Sequence, residues 1–379
     1  SIHNVILTAN EVAGNEYVGG FAGYIKGEND SKNTEITNFS STVHTVSGHK
    51  RVGGFIGTAD GKYTISNVNN KVDTVNILGG TCAIGEDSCT YAGGFVSYIT
   101  KSMGGNITAK YEKILNRVNV MKIEGGDDLD IDAIGGFAGH IQAKEADKLT
   151  LEFKQIQSFA EVNLNNKVDE NSYGGFVGYI SNDEMLSKIN VSNVFSWGDV
   201  KNVADNVTHV GGFIAHIGNK NDQRTELKNI VTVGNVYTGE GNKLNHSIVF
   251  GQSISELYKR DYLGTEDENC NNGKNVRCNK IERIRTMENV YFGVKNNDTY
   301  EDDNTCNMNN NDMCEKEDKC KKRNTFDSPF YESNYLCYFA NGEKDWERVN
   351  VNKSLRPLKS FQEKSYYDGV IKTLNGNDS

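Results

Sequence analysis

Apolar positions in this chain come in short β-type runs of valine, isoleucine and aromatic residues, separated by glycine, asparagine and aspartate turn signals. No window sustains the 3.6-residue period of an amphipathic helix, so substantial helix is not expected. The runs repeat. VGGFAGYIKG from Val18 returns as VGGFIGTADG from Val52, AGGFVSYITK from Ala92, IGGFAGHIQA from Ile134, YGGFVGYISN from Tyr173 and VGGFIAHIGN from Val210. A worn copy, IVFGQSIS, starts at Ile248. The motif phenylalanines are Phe21, Phe55, Phe95, Phe137, Phe176, Phe213 and Phe250, at spacings of 34, 40, 42, 39, 37 and 37 residues. Between them runs a second phrase, NVFSWGDV from Asn193 and NIVTVGNV from Asn229, with looser versions QIQSFAEV from Gln155 and NVNNKVDT from Asn67.

A lone segment of this kind would suggest a phosphate loop, but such a loop occurs once per domain and opens a helix. Repetition at a near-constant period, with inserts of free length, instead predicts stacked coils. An antiparallel sandwich also has short strands, yet it has no reason to repeat one phrase. The expected fold is all-β: a parallel β-helix (β-solenoid) with a disulfide-stapled C-terminal insert. The Gly-Gly pair is expected to supply a corner with φ > 0. The phenylalanine after it is expected to stack inside the coil, with Ile25, Ala59, Ile99, Ile141, Ile180 and Ile217 forming a second apolar column. Two coils per repeat, about 4.8 Å apart, would give a rod of roughly 65–70 Å.

Composition sharpens this picture. The 379 residues include 39 glycines but only two prolines, Pro329 and Pro357, both beyond the repeats. Proline donates no N–H, so its absence fits a backbone whose N–H groups all serve neighbouring strands. A net charge of −10 speaks against nucleic acid or an anionic membrane as partner. No apolar run of about 18 residues occurs, so direct membrane insertion of this segment is not expected. The chain opens inside a repeat-like stretch, as a fragment of a longer protein would.

Eight cysteines are unevenly placed: Cys82 and Cys89 in one loop, and Cys270, Cys278, Cys306, Cys314, Cys320 and Cys337 in the last third. An even number at non-metal spacings predicts disulfides and an oxidising, extracellular compartment. Zinc is the rival reading, weakened by the lack of any CxxC and of any histidine after His246. Cys82 and Cys89 are expected to pair with each other. The expected organisation is a solenoid over 1–263, a polar, Cys-rich insert over 264–345, and a closing segment and tail over 346–379. The insert reads as a stapled cap over the last coil or as a receptor-binding knob.

The column Tyr24, Thr58, Tyr98, His140, Tyr179 and His216 invites a functional reading. Alternation from an inward phenylalanine turns it outward. It is then either a stacking ladder between coils or a strip in which Tyr24, Tyr98, His140, Tyr179 and His216 bind a sugar or a protein. Catalytic signatures such as HExxH and GxSxG do not occur. The nearest carboxylate cluster, Asp127, Asp128, Asp130 and Asp132, reads as a solvated loop, since its spacing is not that of an EF-hand. Glu301, Asp302 and Asp303 read the same way. No catalytic residue, metal or cofactor is expected.

At Gly174, Gly175, Phe176, Val177, Gly178 and Tyr179, and at 193–200 and 229–236, the sequence resembles the GLUG-type repeat, which reads like GGLVGYN, a spacer and NCYATGNV. The end is similar too, with Asp345, Trp346, Glu347 and Arg348 followed by Arg356, Pro357, Leu358 and Lys359. Phenylalanine stands in place of the usual leucine. The resemblance covers roughly 1–258, 286–294 and 345–361. It implies a right-handed parallel β-helix and a secreted or surface-exposed bacterial protein of adhesin or autotransporter-passenger type. The expected function is non-catalytic binding to a cell-surface protein or glycan on a host or neighbouring cell. A polysaccharide lyase or glycoside hydrolase and a structural stalk are the alternatives.

Overall fold

Residues one repeat apart are direct sheet partners. In a computed structural model, Val18 pairs with Val52, Val52 with Ala92, Ala92 with Ile134, Ile134 with Tyr173 and Tyr173 with Val210, always in parallel. Each repeat therefore closes one turn of a β-solenoid, not two. The six intact motif copies rise about 25 Å at ordinary strand spacing, well short of the rod that two coils per repeat would make.

The structure describes residues 1–27, 33–80, 90–102, 106–124, 131–143, 149–164, 172–181, 186–197, 199–203, 209–218, 224–233 and 236–238, and beyond these only strand backbone at 261–262, 280–281, 284–295, 334–339 and 346–349. No helix among them is long and apolar enough to cross a membrane. The fourth turn illustrates the plan: a long strand, Ile107–Ile123; a short one ending on the first motif glycine, Ile131–Gly135; and a third after the motif, Ala138–Ala143. The short strands form two separate six-stranded sheets, and the long ones belong to a twelve-stranded sheet. Ile284–Lys295, within the span expected to be insert, extends that sheet in parallel with Arg224–Val233. Asn334–Phe339 and Trp346–Val349 then add to it antiparallel.

The motif phenylalanines stack along the axis. Ring centroids from Phe21 to Phe213 are 5.1, 4.8, 4.9, 5.0 and 5.0 Å apart, and every ring from Phe55 to Phe213 is fully buried. Tyr111 and Phe153 of the long strands meet the Phe137 ring edge-on. The column from Ile25 to Ile217 lines the same apolar lobe. A second lobe, built from Val43, Val46, Val72 and Val75 against Val18 and Val52, fills the space between the long strands and the first short ones.

The glycine pair does something other than expected. None of its described members has φ in the left-handed region; among described glycines only Gly61 and Gly79 do. Its role is steric. A Cβ on Gly54 would strike the carbonyl oxygen of Gly94, one on Gly94 that of Gly136, and one on Gly136 that of Gly175. The first glycine of each pair, such as Gly93, has the carbonyl of the residue three positions later folded against it, here Val96.

That packing turns the second glycine's carbonyl inward. Gly93 and Gly135 carbonyls accept from the second glycine of the preceding turn, Gly54 and Gly94, and phenylalanine carbonyls carry the next bonds between turns. A buried polar column paired in register lies against these carbonyls, Ser41, Asn70, Asn116, Ser158, Ser196 and Thr232, and its last four members donate to them, while Asn70 donates to the Asn116 side-chain oxygen at 3.0 Å. Asn116 and Ser158 both donate to the Gly136 carbonyl, at 3.2 and 3.3 Å. Ser196 donates to Gly175, and Thr232 to Gly212. An unmet buried carbonyl would cost about 1–3 kcal/mol, so these polar residues sit in the core for a reason. They also divide it into its two lobes.

Two predictions follow from the packing. Gly136→Ala should destabilise the chain by about 3 kcal/mol or more, because the clash is with backbone of the next turn and cannot be relieved by a rotamer change; the midpoint of urea unfolding reads the effect. The second concerns Tyr63 and Tyr111, whose hydroxyls are 2.8 Å apart in full burial. Burial pushes both hydroxyls above the ordinary tyrosine range. The folded state thus keeps protons that the unfolded chain gives up above pH about 10. The contribution of this pair to stability should be constant below that pH and be lost above it, and the double change Tyr63→Phe with Tyr111→Phe should make the alkaline fall of urea midpoints less steep.

Candidate functional site

The third small residue of the motif governs the ring column. A Cβ on Gly23 would strike the Tyr17 carbonyl, and one on Gly139 or Gly178 would meet those of Ala92 or Ile134. Where serine stands, Ser97 donates to the Tyr91 carbonyl at 2.8 Å. The strand after the motif therefore lies directly on backbone just before it. Side chains from both sides interleave into a double ladder. Tyr91 stacks on Tyr98 at 5.1 Å, His140 on Tyr179 at 4.8 Å, Tyr179 on His216 at 4.8 Å, and His209 on His216 at 3.9 Å. The Arg51 guanidinium lies 4.9 Å over Tyr17 and 5.1 Å over Tyr98.

Of the residues singled out as a binding strip, Tyr98 and His140 are buried in this ladder, and Tyr179 and His216 are half-buried. Tyr24, 44% exposed, is the one open to solvent. Its hydroxyl donates to Asp60 at 2.6 Å. Asp60 also accepts from the Ser102 amide at 2.8 Å and from the Ser102 hydroxyl. Partial burial, and then the bond to Asp60, hold the Tyr24 hydroxyl above its ordinary range. The column is thus engaged mainly with its own turns.

The outer face of the long sheet carries a different feature. In successive long strands Asn4, Asn38, Asn67, Lys113, Gln155 and Asn193 occupy one level, each with φ between 53° and 57°. Ladder pairing skips this level: Thr37 pairs with Ser66 and Phe39 with Val68, leaving Asn38 and Asn67 as the bend. A left-handed residue in mid-strand turns the chain through a corner, and asparagine takes that conformation most readily among residues with a Cβ. The asparagines also bond to one another along the axis. Asn38 donates to the Asn4 side-chain oxygen at 3.0 Å, and Asn67 to that of Asn38 at 2.6 Å.

The residue after the bend points into the core, and the one after that points out again. The outward column reads Ile6, Ser40, Asn69, Leu115 and Gln157. Between the two outward columns lies a groove of about 640 Å³ crossing five turns. Lys113 is the one charged residue in its lining. Elsewhere on the outer surface, charges pair between turns, Lys110 with Glu152 at 3.3 Å and Lys154 with Glu112 at 3.2 Å. Such surface pairs contribute little, typically about 0–1 kcal/mol. The groove is set apart by a lining of amides mixed with aliphatic side chains and almost free of charge.

The groove escaped the sequence reading, although its signal was present. Three of the four copies of the second phrase begin on a bend residue, at Asn67, Gln155 and Asn193, but asparagine there is as compatible with an ordinary turn as with a bend. Asp132 lies in the strand Ile131–Gly135, while Asp127, Asp128 and Asp130 fall outside the described residues. So do Phe250, Glu301, Asp302, Asp303, Cys82, Cys89, Cys270, Cys278, Cys306, Cys314 and Cys320. Cys337 lies in the strand Asn334–Phe339, of which only the backbone is described.

No family model, no curated protein and no solved structure matches the chain. The GLUG-type resemblance therefore rests on the motif residues themselves.

The bend predicts an outcome of its own. Gln155 holds φ 55° without asparagine's ease in that region. Gln155→Asn should stabilise the chain by about 0.5 kcal/mol or more, measured as a rise in the urea midpoint.

Proposed function

We propose that this chain is a non-catalytic binding domain of a secreted or cell-surface protein, in which the long sheet's outer groove contacts a protein or glycan on a host or neighbouring cell. The observation that carries this reading is the groove itself. Five turns hold polar side chains at one level along the axis, on strands that are all paired on both sides except the edge strand Ile2–Gly14. The bend accounts for the asparagines themselves; the outward column beside them, Ser40, Asn69 and Gln157 with Ile6 and Leu115, is not required by the bend and gives the groove its second wall. The motif resemblance to GLUG arrays supports an extracellular, adhesin-like or passenger setting, with turns of right-handed sense. In that setting the eight cysteines form disulfides, and the Cys-rich region acts as a stapled excursion near the C-terminal end. Thiol titration of the denatured, unreduced chain should then find no free thiol.

The division of labour is testable because Lys295 and Asn334 are register partners at the end of an antiparallel pair. Replacing 296–333 with an Asn-Gly turn, and changing Cys270, Cys278 and Cys337 to serine so that no partner of an excised cysteine is left as a free thiol, should leave the hairpin intact. The shortened chain should bind intact cells as well as the full one does. If it loses binding while its circular dichroism is unchanged, the excised segment carries the function and the groove does not. Failure of the full chain to bind cells or matrix removes the proposal altogether.

A further inference from the structure

We infer that the groove over the long-strand bend takes a neutral linear glycan lying along the solenoid axis. This rests on the binding role proposed above and names the ligand class.

Four observations point that way. First, the lining offers paired donors and acceptors at a fixed rise. Each amide carries two N–H donors, and its oxygen has two lone pairs. A ladder bond, such as Asn38 to Asn4 or Asn67 to Asn38, uses only one of each. Along the bend the amides stand at Asn4, Asn38, Asn67 and Gln155, with Lys113 on the fourth turn, at about 4.8 Å per turn. Sugar hydroxyls are donors and acceptors at once, and a linear glycan presents them at a similar interval.

Second, an extended peptide is the wrong shape of ligand. Peptides that add to sheets do so through backbone hydrogen bonds at an open edge. Of the five strands the groove crosses, only Ile2–Gly14, which carries Asn4 and Ile6, is an edge; the other four pair with neighbours on both sides. Over most of its length the groove therefore meets a ligand with side chains.

Third, the electrostatics disfavour a polyanion. The chain carries a net charge of −10, and Lys113 is the sole cation in the lining. One lysine gives a long acidic polymer little to pair with, and the chain's net negative charge opposes its approach.

Fourth, the lining mixes apolar faces with the amides. Ile6, 86% exposed, and Leu115 lie in the same outward column as Ser40, Asn69 and Gln157. Aliphatic side chains between amides suit the alternation of C–H faces and hydroxyl edges along a sugar chain. Five turns span about 20 Å, room for several rings, and the groove's volume is in the ordinary range for ligand sites.

The test is titration calorimetry of the full chain with cellohexaose, mannohexaose, xylohexaose and chitohexaose. A peptide library and heparin serve as controls. At least one neutral hexasaccharide should bind. The double change Asn38→Gly with Asn67→Gly keeps the left-handed bend, which glycine adopts freely, and removes the amides. It should weaken binding about tenfold or more, as expected for the loss of two hydrogen bonds. Asn69→Trp, an exposed substitution that fills the groove, should weaken it at least as much. It tests the same site even if the glycine pair fails to fold. Tyr24→Ala, in the ring column, should leave affinity unchanged.

The glycan assignment is overturned if none of the neutral hexasaccharides binds, if heparin or a peptide binds in their place, or if the groove changes leave affinity intact. Cell binding separates this from the broader reading. Binding to cells that persists without any glycan affinity sinks the glycan alone; loss of both sinks the two together.

Discussion

The second motif glycine leaves no space for a side chain, because the carbonyl of its counterpart one turn on lies where a Cβ would be. Gly54, Gly94 and Gly136 all meet this condition. The rest of the solenoid follows from that approach. Phenylalanines next to these glycines are drawn to about 5 Å, a stacking distance, in one continuous column. No turn can bury its own apolar face, so the column gains its stability only from neighbours above and below.

The same contact creates a liability that the chain answers elsewhere. A carbonyl turned into the core needs a donor, and Asn116, Ser158, Ser196 and Thr232 supply one from the long strands. Polar residues in the middle of a solenoid core are therefore part of the motif, although they lie about 20 residues from it along the chain. The alternation of valine lobe, polar column and phenylalanine lobe is the cross-section of every inner turn.

A second ladder of polar side chains, on the outside, arises from a different cause. One residue per long strand bends the chain through the left-handed region, and asparagine at Asn4, Asn38, Asn67 and Asn193 accommodates this at low cost. The bend throws residues on both sides of one core position outward and so opens the groove. A conformational need in each strand, repeated in register, thus becomes an extended surface of amides. The ring column obeys the opposite logic. It points away from the core, yet Gly23, Gly139 and Gly178 let neighbouring backbone close over it, so most of its rings are spent on each other.

Period, strand content and the inward phenylalanine column were legible in the sequence alone, because each is a matter of residue type recurring at an interval. The pairing of Phe55 with Phe95 required only that the same words recur. What the tertiary structure decided were the quantities that depend on how far apart the turns sit. One turn per repeat, the steric rather than torsional role of the glycine pair, the burial of Tyr98 and His140, and the bend at Asn38 all belong here. Glycine is compatible with a left-handed corner and with a crowded backbone alike, and asparagine with a loop and with a mid-strand bend alike. Only the neighbouring turn, 34 to 42 residues away in the chain and about 5 Å away in space, chooses between them.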